Sequence, residues 1–374
     1  MCGSRAGIDR SWRSSTQGPA ATAALASPPP GTAIEGDQAV AINARAALRE
    51  QIGGVERYTR EMSRRLPERY PGRYAILAPH PALAHGAGHA WEQLALPILA
   101  RRFAVLYSPA NVAPAVARRN LVVIHDAAVL REPEAYSRSY VAFHSRLLRS
   151  LAARARVMIT VSEFSRGELS DLLGVPAERF RVVPGGVGES FAPGASTEGV
   201  RRRYGLSRPY ALSVATLSAR KNLQVLDEAA RSLRKHQIDL VLAGAGRPYM
   251  PDVDSPMRRL GYVPDGDLAA LYAGALAFVM PSRYEGFGLP CLEAMACGVP
   301  VIAGLAGALP ETVGDAAILV SPTDREAFAD GLLKLIQDRE LRARLVEKGL
   351  RRARQFSWER TAELTNDVVS ELLS

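Results

Sequence analysis

Two carboxylates with seven residues between them, Glu285 and Glu293, frame the densest chemistry in this 374-residue sequence. Gly286-Phe287-Gly288-Leu289-Pro290 lies between them. The apolar run from Ala275 to Met280 ahead of the pair reads as a buried strand of a parallel sheet. Proline is tolerated at Pro290 as a first helical residue, because its missing N–H would be unpaired there anyway. Gly298 suits the left-handed residue that ends a helix, and Val299 to Ala303 returns as a strand. The predicted order is strand, glycine turn, short helix, strand. Unpaired N–H groups of Phe287 to Leu289 at such a helix N-terminus attract an anion. Glu285 in the loop and Glu293 in the first helical turn flank those donors and can accept hydroxyl protons. An anion with hydroxyls on either side describes a phosphorylated polyol such as a nucleotide-sugar. The plainer alternatives are glycines that only shape a turn and a glutamate that only complements the helix dipole.

Three other clusters could add chemistry. Arg220-Lys221 follows an apolar run and precedes a helical pattern, so the two cations would clamp a diphosphate and stabilise a leaving group. The alternative is a solvated turn. His125-Asp126 ends the run Val122-Val123-Ile124 and points into a crevice, or supplies a satisfied histidine and a helix-capping aspartate. Gly53-Gly54 opens a helix, where glycine lets backbone approach a phosphate, or simply makes the turn. Thr160-Val161-Ser162-Glu163-Phe164-Ser165 reads as a helix start capped by Ser162, with Ser165 or Glu163 assisting.

The elements that must position these groups alternate in an α/β rhythm. Strands are expected at 39–42, 74–77, 104–107, 121–124 and 157–161, with helices at 55–66, 134–152 and 163–173. Turn-rich sequence follows, Pro184 to Gly188 and Phe191 to Gly194. The rhythm then restarts with strands at 211–215, 239–243, 260–263, 276–280, 299–302 and 317–320. Helices at 223–235, 267–273, 325–337 and 340–355 accompany them, and a last helix covers 358–373. Two parallel sheets would place ligands outside the carboxyl ends of their strands, where all the clusters above fall.

The string from Pro281 to Ala303 resembles the E-x7-E signature of retaining GT-B glycosyltransferases, glycosyltransferase family 4. Weaker matches run from about Gln38 to the C-terminus. The resemblance implies a GT-B fold, two Rossmann-like domains facing across a cleft, with 38–195 as the N-terminal acceptor domain and 196–357 as the nucleotide-sugar domain. Residues 358–374 would cross back to the first domain. It also implies transfer of a hexose, mannose favoured, from a nucleotide-sugar to a hydroxyl of a glycan or lipid-linked acceptor, with retention and by front-face substitution. His125, Asp126, Arg220, Lys221 and Glu285 would be the catalytic set. Gly53, Gly54, Arg220, Lys221, the backbone of Val263, Glu285 to Leu289 and Glu293 would bind the donor, Glu285 at the sugar and Glu293 at the ribose. Many members carry arginine where this chain has Thr216, so only Arg220 and Lys221 transfer to the phosphate role. No cofactor is implied beyond the co-substrate, GDP-mannose favoured. The D-x-D strings Asp252-Val253-Asp254 and Asp265-Gly266-Asp267, which hold a metal in GT-A enzymes, lie in turn-like contexts, and Asp267 reads as a helix cap. No metal site is assigned, and His80, His85 and His89 sit in a Gly/Ala/Pro loop without zinc-like spacing. The rival readings are a non-catalytic nucleotide-sugar or glycan binder, and another GT-B enzyme such as an epimerase.

Composition bounds the rest. Hydrophobic content of 47% and charged content of 23% suit a soluble two-domain protein. Three cysteines cannot build a disulfide framework, which points to a reducing cytoplasm. The net charge of +9 comes from 47 basic and 38 acidic residues. No basic stretch carries interleaved aromatics, which argues against nucleic acid. A peripheral contact with an anionic membrane at the inner face, or a solvated arginine-rich surface, accounts for it equally. Residues 1–37, with Pro28-Pro29-Pro30, read as a disordered extension or a start-site artefact.

Overall fold

In a computed structural model, the described residues are 39–84, 87–116, 119–246 and 257–374. The expectations for 1–37, His85, Asp252 and Asp254 lie outside them. Two six-stranded sheets form. The first contains β1 (Val40–Asn43), β2 (Tyr74–Leu77), β3 (Val105–Ser108), β4 (Asn120–Val123), β5 (Met158–Thr160) and β6 (Phe180–Val182), in the order β2-β1-β3-β4-β5-β6. The second contains β7 (Tyr210–Val214), β8 (Asp239–Ala243), β9 (Arg258–Gly261), β10 (Phe278–Met280), β11 (Val301–Gly304) and β12 (Ala317–Val320), in the order β12-β11-β10-β7-β8-β9. Neighbouring strands run parallel throughout. Helices cover both faces of such sheets, so runs such as Val40–Asn43 and Val301–Gly304 are buried at every position.

The helices of eight residues or more are α1 (Gly54–Arg69), α2 (Arg138–Arg154), α3 (Glu163–Leu173), α4 (Asp227–Lys235), α5 (Asp265–Ala273), α6 (Leu289–Ala296), α7 (Arg325–Gln337), α8 (Arg339–Ala353) and α9 (Trp358–Leu373). Side-chain oxygens of Ser137, Ser162, Asp324, Asp338 and Ser357 cap α2, α3, α7, α8 and α9, satisfying backbone donors that a helix start leaves open. α9 leaves the second half and packs on α1 and the first sheet. Trp358, Ala362, Val368 and Val369 join Tyr58, Met62 and Leu66 in one buried cluster. Gly186 makes that return possible: a Cβ there would lie 2.2 Å from the Trp358 backbone nitrogen.

Several expected boundaries change. The helix expected over 134–152 is a short turn at Pro133–Ala135 followed by α2, because Ser137 caps a fresh start. The helix expected from Leu223 opens as a tight 3-10 turn, Leu223–Leu226, before α4. Asp267 does not cap α5; Pro264 holds that position and Asp267 lies in the first turn. Glu293 is the fifth residue of α6 and so belongs to its second turn. The segment around His89 is largely helical from Gly88 to Arg102, including a wide π turn at Trp91–Ala95. Strand β6 was not expected. It has three residues at a sheet edge with Arg181 in the middle, too short and too polar to register as an apolar run.

Candidate active site

The carboxyl ends of both sheets face one cleft of about 340 Å³. That lies at the lower end of the range for small-ligand sites. In the second sheet, the strand order reverses between β7 and β10, and the crevice outside that point is where an open α/β sheet binds ligands. The loop after β7 carries Arg220 and Lys221. The loop after β10 carries Glu285. In the first sheet, the loop after β1 leads to Gly53 and Gly54, and the residues after β4 are His125 and Asp126. All of these line the cleft, as do Val263, Gly286 to Leu289 and Glu293. The sequence-predicted set is therefore brought together without exception.

Glu285 is buried between the two cations. The Lys221 Nζ lies 2.5 Å from one of its oxygens and the Arg220 Nη1 lies 3.3 Å from the other. Burial alone would raise the Glu285 pKa, but Lys221 and then Arg220 hold it below the ordinary carboxylate value. Burial pulls Lys221 down; Glu285 opposes that shift and Arg220 adds to it. Arg220 also donates to the Tyr284 carbonyl. Its Nε is buried and has no hydrogen-bond partner among the described residues. Leaving such a donor unpaired costs about 1–3 kcal/mol, so an acceptor supplied by a ligand would be favoured there. One lysine, one arginine and one carboxylate thus leave a net positive pocket floor.

Glu293 has protein partners that the sequence did not indicate. Arg57 reaches across from α1, with Nη1 2.6 Å from Glu293 and Nη2 2.7 Å from Asp265. Tyr272 donates its hydroxyl to the other Glu293 oxygen at 3.0 Å. Burial raises the Glu293 pKa, and Arg57 and Tyr272 only partly oppose it. A carboxylate offers about four lone-pair sites, so both oxygens can still accept a ligand hydroxyl. Arg57, three residues beyond Gly54, was not singled out from the sequence. The available signal was a cation one turn into a helix, where the dipole prefers an anion.

His125 points its Nε2 at the Pro109 carbonyl, 2.8 Å away, which makes Nε2 the protonated nitrogen. Burial lowers its pKa against the pull of that carbonyl and of Asp126. The ring meets Tyr58 edge-on, and the His125 amide donates to Asn111. Asp126 accepts from the Ala128 amide at 3.0 Å, so one oxygen serves a local turn while the residue still faces the cleft. Gly54 has nothing within 4 Å of a notional Cβ, consistent with an open approach for a ligand. The Gly53 amide is taken by Glu56 at 2.9 Å. Asp267 of the D-x-D string is committed to Arg203 and Tyr204. His89 pairs with Glu92, which also holds Arg45 and Asn43. Among the described residues, no group of three or more His, Cys, Asp or Glu side chains is placed to hold a metal ion. No helix among them is long and apolar enough to cross a membrane.

Two family models match this architecture half by half. Residues 52–191 match Glycosyltransferase Family 4, and residues 200–352 match Glycosyl transferases group 1. O-antigen chain mannosyltransferase B of Escherichia coli is 36% identical over 271 residues, which is 68% of this chain and 71% of that protein. Sucrose-phosphate synthase of Thermosynechococcus elongatus superposes with a TM-score of 0.69 at 20% identity, covering 89% of this chain and 98% of that one. HepE of Anabaena, in complex with UDP-glucose, superposes with a TM-score of 0.67 at 18% identity, covering 89% and 99%. At such identities the structural matches establish the fold, which is GT-B.

Proposed function

The chain belongs to glycosyltransferase family 4, and on that premise we propose that this glycosyltransferase moves a hexose, mannose in the first instance, from a nucleotide-sugar to a hydroxyl of a glycan or lipid-linked acceptor in polysaccharide synthesis. The observation that carries the donor reading is Arg220 with an unused buried Nε, beside Lys221, at the switch point of the second sheet. A diphosphate placed there meets two cations and the start of α6. Each stabilises the charge that grows on the leaving group. The base lies toward Val263, the ribose toward Glu293, and the transferred sugar toward Glu285 and His125. Neutral His125, with Nε2–H committed to Pro109, keeps its other nitrogen as an acceptor for a sugar hydroxyl. Transfer with retention fits a front-face reaction in which the diphosphate itself takes the acceptor's proton, since Glu285 is held in its ion pairs with both cations. Mannose is favoured because the O-antigen relative is named a mannosyltransferase; the UDP-glucose held by the HepE neighbour keeps uridine donors in contention.

The partner beyond the donor is a membrane-borne or polymeric acceptor. Exposed Leu94, Ile98 and Leu99 lie beside exposed Arg101 and Arg102 in the helical segment of the first half. That combination suits a peripheral contact with an anionic bilayer. A thermal-shift screen of GDP-, UDP- and dTDP-sugars tests the donor reading. One base should raise the melting temperature in a concentration-dependent way, by mass action. No shift with any of them at millimolar concentration contradicts it.

A further inference from the structure

The Thr160–Ser165 string at the start of α3 was assigned no donor role, yet the hydroxyls of Thr160, Ser162 and Ser165 all reach outside their own helix. Thr160 donates its hydroxyl to the Ile124 carbonyl at 2.8 Å, just ahead of His125. Ser162 caps α3 through the Ser165 amide and also donates to the Gly286 carbonyl at 2.6 Å. The Ser165 hydroxyl lies 3.0 Å from the same Gly286 carbonyl and 3.2 Å from the carbonyl of His125. Both serines are buried. The next two donors of the helix start, the amides of Glu163 and Phe164, are taken at 2.8 and 3.0 Å by the two carboxylate oxygens of Glu311. Glu311 belongs to the other half, and Arg352 of α8 holds its carbonyl. A carboxylate from one half therefore closes the helix of the other.

Gly286 adds a steric reason for this convergence. A Cβ at Gly286 would lie 2.4 Å from the His125 carbonyl oxygen and 2.6 Å from the Asp126 Cβ. The loop that carries Glu285 is pressed directly on the loop that carries His125. From the α3 side, the hydrogen bonds to the Gly286 carbonyl and the edge-on contact of Phe164 with Tyr284, ring centroids 5.5 Å apart, hold the two loops together.

We propose that Ser162, Ser165 and Glu311 are positioning residues that clamp the donor loop to the His125 loop when the two halves close. The bonds to the Gly286 carbonyl and those of Glu311 to the α3 amides run between the two halves. Separation of the halves would release the Gly286 carbonyl, undo the two-pronged cap of α3, and let the Glu285 loop relax. The clamp acts through Gly286 and touches no reacting atom. Its effect on turnover rests on the transferase reading above, whereas its effect on closure does not.

Three measurements on Ser165→Ala, Ser165→Thr, Glu311→Ala and the wild type test it: small-angle scattering without ligand, calorimetry with GDP or UDP, and kinetics at saturating donor. Glu311 is exposed, so its variant keeps the core intact. Glu311→Ala should enlarge the radius of gyration. Ser165→Ala and Glu311→Ala should lower kcat by about tenfold or more, as misplacement of reacting groups does, with nucleotide affinity within about threefold of wild type. Ser165→Thr, which keeps the hydroxyl, should restore kcat. Unchanged scattering for Glu311→Ala, or a loss of kcat that merely tracks a loss of nucleotide affinity, overturns the clamp. A wild type that turns over no donor while Glu311→Ala still expands would defeat the transfer reading and leave the clamp standing.

Discussion

At the scale of single residues, the two signature glutamates turn out to be opposites. Glu285 is held below the ordinary carboxylate pKa of 4.5 by Lys221 and Arg220, against burial. Glu293 is held above it by burial, against Arg57. The signs lead to different pH behaviour. The depressed Glu285 contributes stability that is present above the unfolded value and lost as pH falls through its lower folded value. The raised Glu293 does the reverse: its ionised form is a cost at neutral pH, and acidification relieves that cost while removing a hydroxyl acceptor and the Arg57 partner. Donor affinity should therefore decline on acidification before the melting temperature does. Calorimetry with an intact nucleotide-sugar, beside thermal melts over the same pH series, reads both. Glu293→Gln should imitate the acid state at neutral pH, weakening donor binding without loss of fold. Affinity and melting temperature that fall together would contradict the assignment.

At the scale of elements, α9 is the piece whose removal should matter most. Trp358 is fully buried against Tyr58 and lines the cleft as well. Trp358→Ala should destabilise the first half by about 3–5 kcal/mol, the usual cost of deleting a buried aromatic. Denaturant melts followed by tryptophan-independent circular dichroism would measure it; a change under about 1 kcal/mol, below that range, would show that α9 is a passive strap. The same element was fully legible in sequence, bounds included, because Ser357 caps it and its apolar positions recur at helical spacing. Strand cores and the glycine turn of α6 were legible for similar reasons. What escaped was set by a local cap or by distant partners. Ser137 restarts α2 after a break that no periodicity marks. β6 exists because β5 offers it an edge. The cleft residues were legible as clusters, but their partners were not. Arg57 on Glu293, Ser162 and Ser165 on Gly286, and Glu311 on α3 each join segments more than 100 residues apart, a distance over which neither spacing nor propensity carries information.

At the scale of the whole molecule, two parallel sheets present their carboxyl ends to one cleft, and the chain as a whole carries a charge of +9. The exposed Leu94, Ile98 and Leu99 beside Arg101 and Arg102 give that charge a direction. Co-sedimentation with vesicles should show binding to anionic but not zwitterionic lipid, weakened by salt as surface electrostatics are, and lost in Ile98→Asp. Equal binding to both lipids, or no effect of Ile98→Asp, would remove this face from the contact. The central claim is that the cations and helix starts of the cleft carry the leaving diphosphate through transfer. The most direct test is transfer of labelled sugar from the nucleotide-sugar selected by the donor screen to a glycan acceptor, in EDTA, by wild type and Lys221→Ala. Acceptor-dependent release of nucleoside diphosphate that is unchanged by EDTA, and about 10²-fold slower in Lys221→Ala as for loss of a preorganised charge, is the predicted result. Transfer that requires an added divalent metal, or that proceeds at the wild-type rate without Lys221, would contradict it.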